Sequence, residues 1–231
     1  LAECHQFKDR AVNLGCRSEK ISIARSGLDL SSFPYCAPLP LGPGPVRLIG
    51  IGRLTARKGF HTLIKTLPML EKAGIDATLS LIGDGEEKQG LIDLANTLGV
   101  EGRLHLLGAM SHAQIAQELG QHHIFVGPSE VSPAGGMDGP LNTLKEAMAV
   151  GVPVCATDHG GIPDLVKDGI TGALAREADV EDLCDTLQRL IGAHAQWPAF
   201  ARAARKLIED EFETENVTSR LETVYHKVLN T

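Results

Sequence analysis

From Val46 onward, short apolar runs of strand length alternate with longer stretches of helical period, and most of the runs are followed by a glycine turn. No other feature constrains the fold as much. Strands that are apolar throughout must be covered on both faces, and intervening helices with short turns cover a parallel sheet in that way. Strands are predicted over 46–50, 78–82, 103–107, 124–127 and 152–156, with an edge strand over 171–174. Between them, helices are predicted from Gly59 through Leu70, over 86–98 with Gly99 as the stop, from a Ser111 N-cap through Leu119, and from Leu141. Amphipathic stretches over 179–190, 198–212 and 216–229 read as structural helices, with Trp197 packed beneath one of them. The fold class is α/β, a doubly wound parallel sheet with additional C-terminal helices.

Upstream of Val46 the pattern differs. A helix within residues 1–33 stops at Gly15, and a strand is predicted over 21–25. Pro34, Pro38, Pro40, Pro43 and Pro45 then disfavour both helix and central strand, so 34–45 reads as a linker. The first residue is Leu1 rather than Met, which reads as a piece of a longer protein.

Composition excludes several function classes. A net charge of −7 argues against nonspecific nucleic-acid binding, so any anion site must be local. Five cysteines with no close pair read as free thiols in a reducing compartment, neither a disulfide frame nor a zinc site. No apolar run approaches the roughly 18–20 residues needed to cross a bilayer. His122 and His123 are adjacent, so on an extended chain they point to opposite sides and cannot easily chelate one ion. His159, beside Gly160 and Gly161, reads as a polar loop residue in preference to a ligand contact.

Two stretches carry candidate chemistry. The first strand ends in Gly50-Ile51-Gly52, but Thr55 stands where a dinucleotide fingerprint needs its third glycine, which weakens a dehydrogenase reading. Arg53, Arg57 and Lys58 follow instead, and both a solvated basic turn and a phosphate-holding loop fit them. The second stretch is GGMDGPLNTLKEAMAVGVPVCATDHGGIPD, 135–164, in which Asp138 and Glu146 stand eight apart across a predicted helix start. Gly135, Gly136, Gly139 and Pro140 bring bare backbone close to whatever binds, and Pro140 suits the first helical turn. Leu141, Leu144 and Met148 form an apolar stripe with Glu146 roughly opposite. In isolation Glu146 would be a solvated carboxylate and Asp138 a turn residue. A glycine-rich lead into a helix N-terminus suits phosphate oxygens, and two acids suit hydroxyls, so the pair suggests a polyol attached to phosphate.

This stretch resembles the donor-site signature of the retaining glycosyltransferases with the GT-B fold, in the group that includes the exopolysaccharide and colanic-acid branch. The resemblance rests on Asp138 and Glu146, on GluAlaMetAla at 146–149, on Gly151, Pro153 and Val154, and on Gly160-Gly161-Ile162-Pro163-Asp164. SerGlyLeuAspLeu at 26–30 with Phe33, and the GlyArgLeu…LysGly of 52–59, resemble further family segments. Asp138 stands where glutamate is usual, one methylene shorter, and Leu141 where glycine or proline is common.

The resemblance implies the Rossmann-like C-terminal half of a GT-B enzyme. Residues 1–33 would be the tail of a preceding domain, 34–45 a hinge, 46–210 the donor domain and 211–231 a helix crossing back. It implies sugar transfer from a nucleoside diphosphate sugar, UDP or GDP, to a hydroxyl of a glycan or lipid-linked acceptor in polysaccharide biosynthesis. Arg53 and Lys58 would hold the leaving diphosphate, and Asp138 the donor-sugar hydroxyls facing the anomeric carbon. Glu146 would take the ribose, with Gly52, Gly139, Pro140, Leu141, Asn142 and Thr143 completing the site. Loops at 83–85 and 108–111 would face the nucleobase, with Asp84 as a candidate base or ribose contact. No metal or other cofactor is implied, because cations and a helix end do that work. The acceptor domain would lie upstream, and the location would be cytoplasmic with peripheral contact to the membrane. A nucleotide-sugar epimerase of the same fold and a catalytically silent nucleotide-sugar-binding module are the alternatives.

Overall fold

The computed structural model describes residues 1–131, 135–136, 139 and 141–229. Six strands, β1 (Val46–Ile51), β2 (Ala77–Ile82), β3 (Leu104–Gly108), β4 (Ile124–Gly127), β5 (Val154–Thr157) and β6 (Ala173–Ala175), form one sheet in the order β3-β2-β1-β4-β5-β6. All of its pairings are parallel. Each strand predicted from residue 46 onward is present with its ends displaced by two residues at most. The strand predicted over 21–25 does not form. Only an isolated bridge joins Ile23 to Ala2, since a ladder needs a partner strand and one residue is all that is offered.

The helices are α1 (His5–Asn13), α2 (Phe60–Lys72), α3 (Lys88–Leu98), α4 (His112–Leu119), α5 (Asn142–Val150), α6 (Ile162–Leu165), α7 (Val180–Gly192), α8 (Trp197–Phe212) and α9 (Thr214–Leu229). Ser111 closes a capping box on α4: its hydroxyl accepts from the Gln114 amide, and the Gln114 side chain accepts from the Ser111 amide. Residues 34–45 contain neither helix nor strand.

Successive strand residues feed opposite faces. Leu48, Leu79 and Leu81 pack with Leu63 and Leu67 of α2, Leu91 of α3, and Leu183 and Leu187 of α7. Trp197 lies in that layer, and its indole N–H donates to the Leu190 carbonyl at 2.9 Å. Ile49, Ile51 and Phe125 pack on the other side with Ile115 of α4, Leu144 and Met148 of α5, and Ile208 and Phe212 of α8. Leu28 and Phe33, upstream of the proline run, belong to this second layer.

Helix α5 departs from its predicted two-faced character. Every residue from Leu144 to Val150 is buried, Glu146 among them. The apolar stripe meets the sheet, but α8 packs on the helix from behind and α4 flanks it, so no face is left for solvent. Lys145 is fully buried, with its ammonium donating to the Ser26 carbonyl and hydroxyl at 2.8 Å each and lying 5.6 Å from the centre of the Phe212 ring. Burial lowers its pKa to about 8, against the opposing pull of Glu3 and Glu146.

Candidate functional site

The chain leaves β1 toward β2 and leaves β4 toward β5, in opposite directions along the sheet. A crevice opens between two such neighbours at their carboxyl ends, and ligands of doubly wound sheets bind there. The described members of the candidate set follow β1 and β4, the two strands that meet at this switch point.

Gly52, Arg53 and Lys58 occupy the exit of β1. The Lys58 stem lies over Gly52, where a Cβ would be 3.4 Å from Lys58 Cε. Arg53 is exposed and Lys58 half-buried. Arg57, which an isolated reading leaves at the surface, is half-buried too, and its carbonyl accepts the Glu130 amide at 2.9 Å. Backbone bonds lace this exit to its neighbours: Gly52 N–H to Ile82 O, Leu54 N–H to Asp84 O, and Gly83 N–H to Gly108 O, at 2.8 to 3.0 Å. The Asp84 carboxylate is exposed and accepts the Gly85 amide at 3.0 Å.

The second half lies at the start of α5. Asp138 and Pro140 fall outside the described residues. Leu141 is the N-cap, so the helix proper begins at Asn142. The Leu141 side chain is buried in the second apolar layer, which leaves only its backbone for a ligand. Among the described residues no side chain caps the helix and its first turn carries no acid, which suits a helix N-terminus to an anion. Asn142 is exposed and Thr143 half-buried. A Cβ on Gly139 would meet Glu3 Oε2 at 2.8 Å, so the carboxylate from the upstream segment sits against bare backbone there.

Glu146 is 3% exposed. Its Oε1 is 3.4 Å from His112 Nδ1, while Oε2 is buried with no hydrogen-bond partner among the described residues. Burial pushes its pKa up, and His112 and Lys145 hold it down. A cavity of about 280 Å³ lies beside it, lined by Gly27, Leu28, Asp29, Phe33, His112, Asn142 and Glu146 among others. A bare carboxylate oxygen on such a cavity is equipped to accept hydrogen bonds from ligand hydroxyls.

This geometry sets up a test. The folded-state pKa of Glu146 is raised, so the native chain holds its proton more tightly than the unfolded chain. Its contribution therefore falls as pH rises from the ordinary carboxylate range through the raised value. Glu146→Gln is expected to raise stability near neutral pH by about 1 kcal/mol, or about 2–4 °C in Tm, because a partly unpaired buried charge is removed. The gain should vanish at low pH, where Glu146 is protonated. A fall in Tm near neutral pH would show the carboxylate to be structural.

Some residues that shape the site had no motif to announce them. His112 reaches Glu146 only because α4 packs on α5. Glu130 is buried at the exit of β4, with Oε1 3.2 Å from His61 Nε2 and Oε2 accepting from Thr62 Oγ1 at 3.3 Å. Its position three residues past a strand's carboxyl end was the available signal. His159 is buried, with Nδ1 2.9 Å from Glu177 Oε2. His122 and His123 serve the core: His122 bonds the Glu118 carbonyl and the Ser80 hydroxyl, and His123 Nδ1 accepts the Arg47 amide. Among the described residues no group of three or more His, Cys, Asp or Glu could hold a metal ion, and no helix is long and apolar enough to cross a membrane.

The family described as glycosyl transferases group 1 matches residues 38–207. The amylovoran biosynthesis glycosyltransferase AmsK of Erwinia amylovora is 32% identical over 206 residues, which cover 89% of this chain and 50% of that protein. A glycogen synthase of Mycobacterium tuberculosis is 31% identical over 206 residues, covering 89% and 48%. The chain thus spans about half the length of the curated relatives it matches. The structure of Anabaena Alr3699/HepE in complex with UDP superposes with a TM-score of 0.83 at 20% identity, covering 98% of this chain and 63% of that one. The C-terminal domain of the group 1 protein LpcC from Francisella tularensis gives 0.67 at 21% identity, covering 81% and 100%. The fold is the Rossmann-like C-terminal half of a GT-B glycosyltransferase. With a family match over most of its length and a doubly wound sheet, this chain belongs to the group 1 glycosyl transferases.

Proposed function

We propose that this chain is the donor-binding half of a retaining glycosyltransferase that uses a nucleoside diphosphate sugar in polysaccharide biosynthesis. The observation that carries the reading is Glu146: a buried carboxylate with one oxygen unpartnered among the described residues, on a cavity beside a helix N-terminus whose N-cap residue makes no side-chain cap. Glu146 accepts hydrogen bonds from the ribose hydroxyls. The α5 amides, with Asn142 and Thr143, hold phosphate or donor oxygens. Arg53 and Lys58 neutralise the diphosphate as it leaves, which is the charge development the step must stabilise. The role at the donor-sugar hydroxyls is assigned to Asp138 from the motif. The name of AmsK supports the polysaccharide class, and the UDP complex of HepE supports a nucleotide donor.

The acceptor, a glycan or lipid-linked hydroxyl, is assigned to the part of the longer relatives that this chain does not match. Domain closure there brings in the second substrate and excludes water. The chain alone therefore binds donor without transferring it. Calorimetry with UDP- and GDP-sugars beside NAD tests this reading. Binding of a nucleotide sugar and not of NAD is expected. Preference for NAD, or robust glycosyl transfer by residues 1–231 alone, would overturn it.

A further inference from the structure

Helix α4 begins at His112, and Ser111 and Gln114 close its first turn without using the imidazole. The His112 side chain is 76% exposed, so neither the cap nor the core requires it. It nevertheless takes one defined place. Its ring meets Phe33 edge-on, with centroids 6.2 Å apart and planes at 89°. Phe33 is itself fixed against α5, because Arg205 Nη1 donates to the Phe33 and Ala149 carbonyls at 2.8 Å each. From this seat His112 Nδ1 lies 3.4 Å from Glu146 Oε1.

That contact decides how the carboxylate is turned. The last torsion of a glutamate is broad and roughly two-fold, so a carboxylate held at neither oxygen spreads over its rotation. With Oε1 engaged by His112, Oε2 is the oxygen left without a partner among the described residues. His112 and Glu146 line the same cavity of about 280 Å³ as Asp29 and Asn142. The charged groups around the carboxylate are His112 on α4, Lys145 on α5 and, on the cavity wall, Asp29. Asp29 Oδ1 already accepts from the Ser31 amide and hydroxyl, at 3.0 and 2.7 Å. Hydroxyls entering this cavity therefore meet an acceptor that is already oriented, and a site built to bond a hydroxyl rejects the ligand that lacks it.

We propose that His112 is a positioning residue for Glu146, fixing its carboxylate so that the cavity selects a ribonucleotide over a deoxyribonucleotide. The inference rests on the nucleotide-sugar reading above and adds a specificity determinant to it.

His112→Ala, His112→Asn, Glu146→Gln and the double variant His112→Ala/Glu146→Gln test it. Calorimetry with UDP, GDP and their deoxyribose counterparts is run on each, beside Tm. Asparagine brings an amide nitrogen close to the place of Nδ1 and can donate to Oε1. In His112→Ala, affinity for the ribonucleotide is expected to fall about tenfold and for the deoxyribonucleotide less than about threefold, with most of the loss recovered by asparagine. Tm should stay within about 3 °C, since the residue is exposed and outside the capping box. In the Glu146→Gln background the alanine change should cost less than about twofold, because it acts through a carboxylate no longer there. His112 and Lys145 hold the Glu146 pKa down against burial, so an NMR titration of that carboxyl should move upward in His112→Ala. Equal losses for the two sugars, no loss, or losses that add in full in the double variant would overturn the assignment and leave the functional reading in place. If the unmodified chain binds neither UDP nor GDP, that reading falls and this inference with it.

Discussion

Gly59→Ala is expected to cost about 3 kcal/mol of stability and to abolish diphosphate binding. Gly59 sits between Lys58 and α2 at φ +63, a left-handed conformation that costs a residue with a Cβ about 1–2 kcal/mol. The added methyl would also lie 1.9 Å from the Pro128 carbonyl oxygen. That oxygen belongs to backbone, which cannot rotate away, and the adjacent Ser129 carbonyl is bound by Thr157. Overpacking of this kind adds about 1–3 kcal/mol. For a chain of this size the sum corresponds to a fall of about 6–12 °C in Tm. Gly99→Ala is the control, because Gly99 has nearly the same φ, +67, with nothing within 4 Å of its Cβ position. It should show the conformational penalty alone. If the two variants melt together, the close approach of the β1 and β4 exits is wrong.

Arg53→Ala and Lys58→Ala should each weaken nucleoside diphosphate about ten- to a hundredfold and nucleoside hardly at all. A charge-assisted hydrogen bond to phosphate contributes about 1.5–3 kcal/mol, and the nucleoside has no phosphate to lose it. Arg53 is exposed and Lys58 is only half-buried, so neither change opens a core cavity and Tm should stay close to that of the parent chain. Rising salt should narrow the gap for Arg53 more than for Lys58, since exposed charge is screened more strongly. Equal losses for nucleoside and diphosphate would remove both residues from the phosphate site.

Glu146 and Glu177 show where reading the chain by itself stopped. The eight-residue spacing and the GluAlaMetAla run single out Glu146, but helical period placed it opposite the apolar stripe, toward water. It is buried because α8, distant in sequence, packs behind α5 and because α4 brings His112 against it. A period read over one helix reports which face meets the sheet and nothing about a second layer. Glu177 had no motif at all, being an acid in a loop after an edge strand. Only the convergence of three strand exits makes it a bridge between Val131 and His159. Arg57 is a similar case, half-buried because its carbonyl meets the Glu130 amide across the switch point.

By itself the sequence determined the layer architecture, the strands from Val46 onward, the family, and which loops carry the candidate chemistry. Those properties rest on local period, glycine turns and motif spacing, all of which act over a few residues. The tertiary structure decided burial, and with it charge state and partnership. It left Glu146 with a raised pKa and one bare oxygen, lowered Lys145 to about 8 beneath Phe212, and left the strand predicted over 21–25 as a single bridge. Desolvation and strand pairing depend on what arrives from elsewhere in the chain, and no window of local sequence contains that partner.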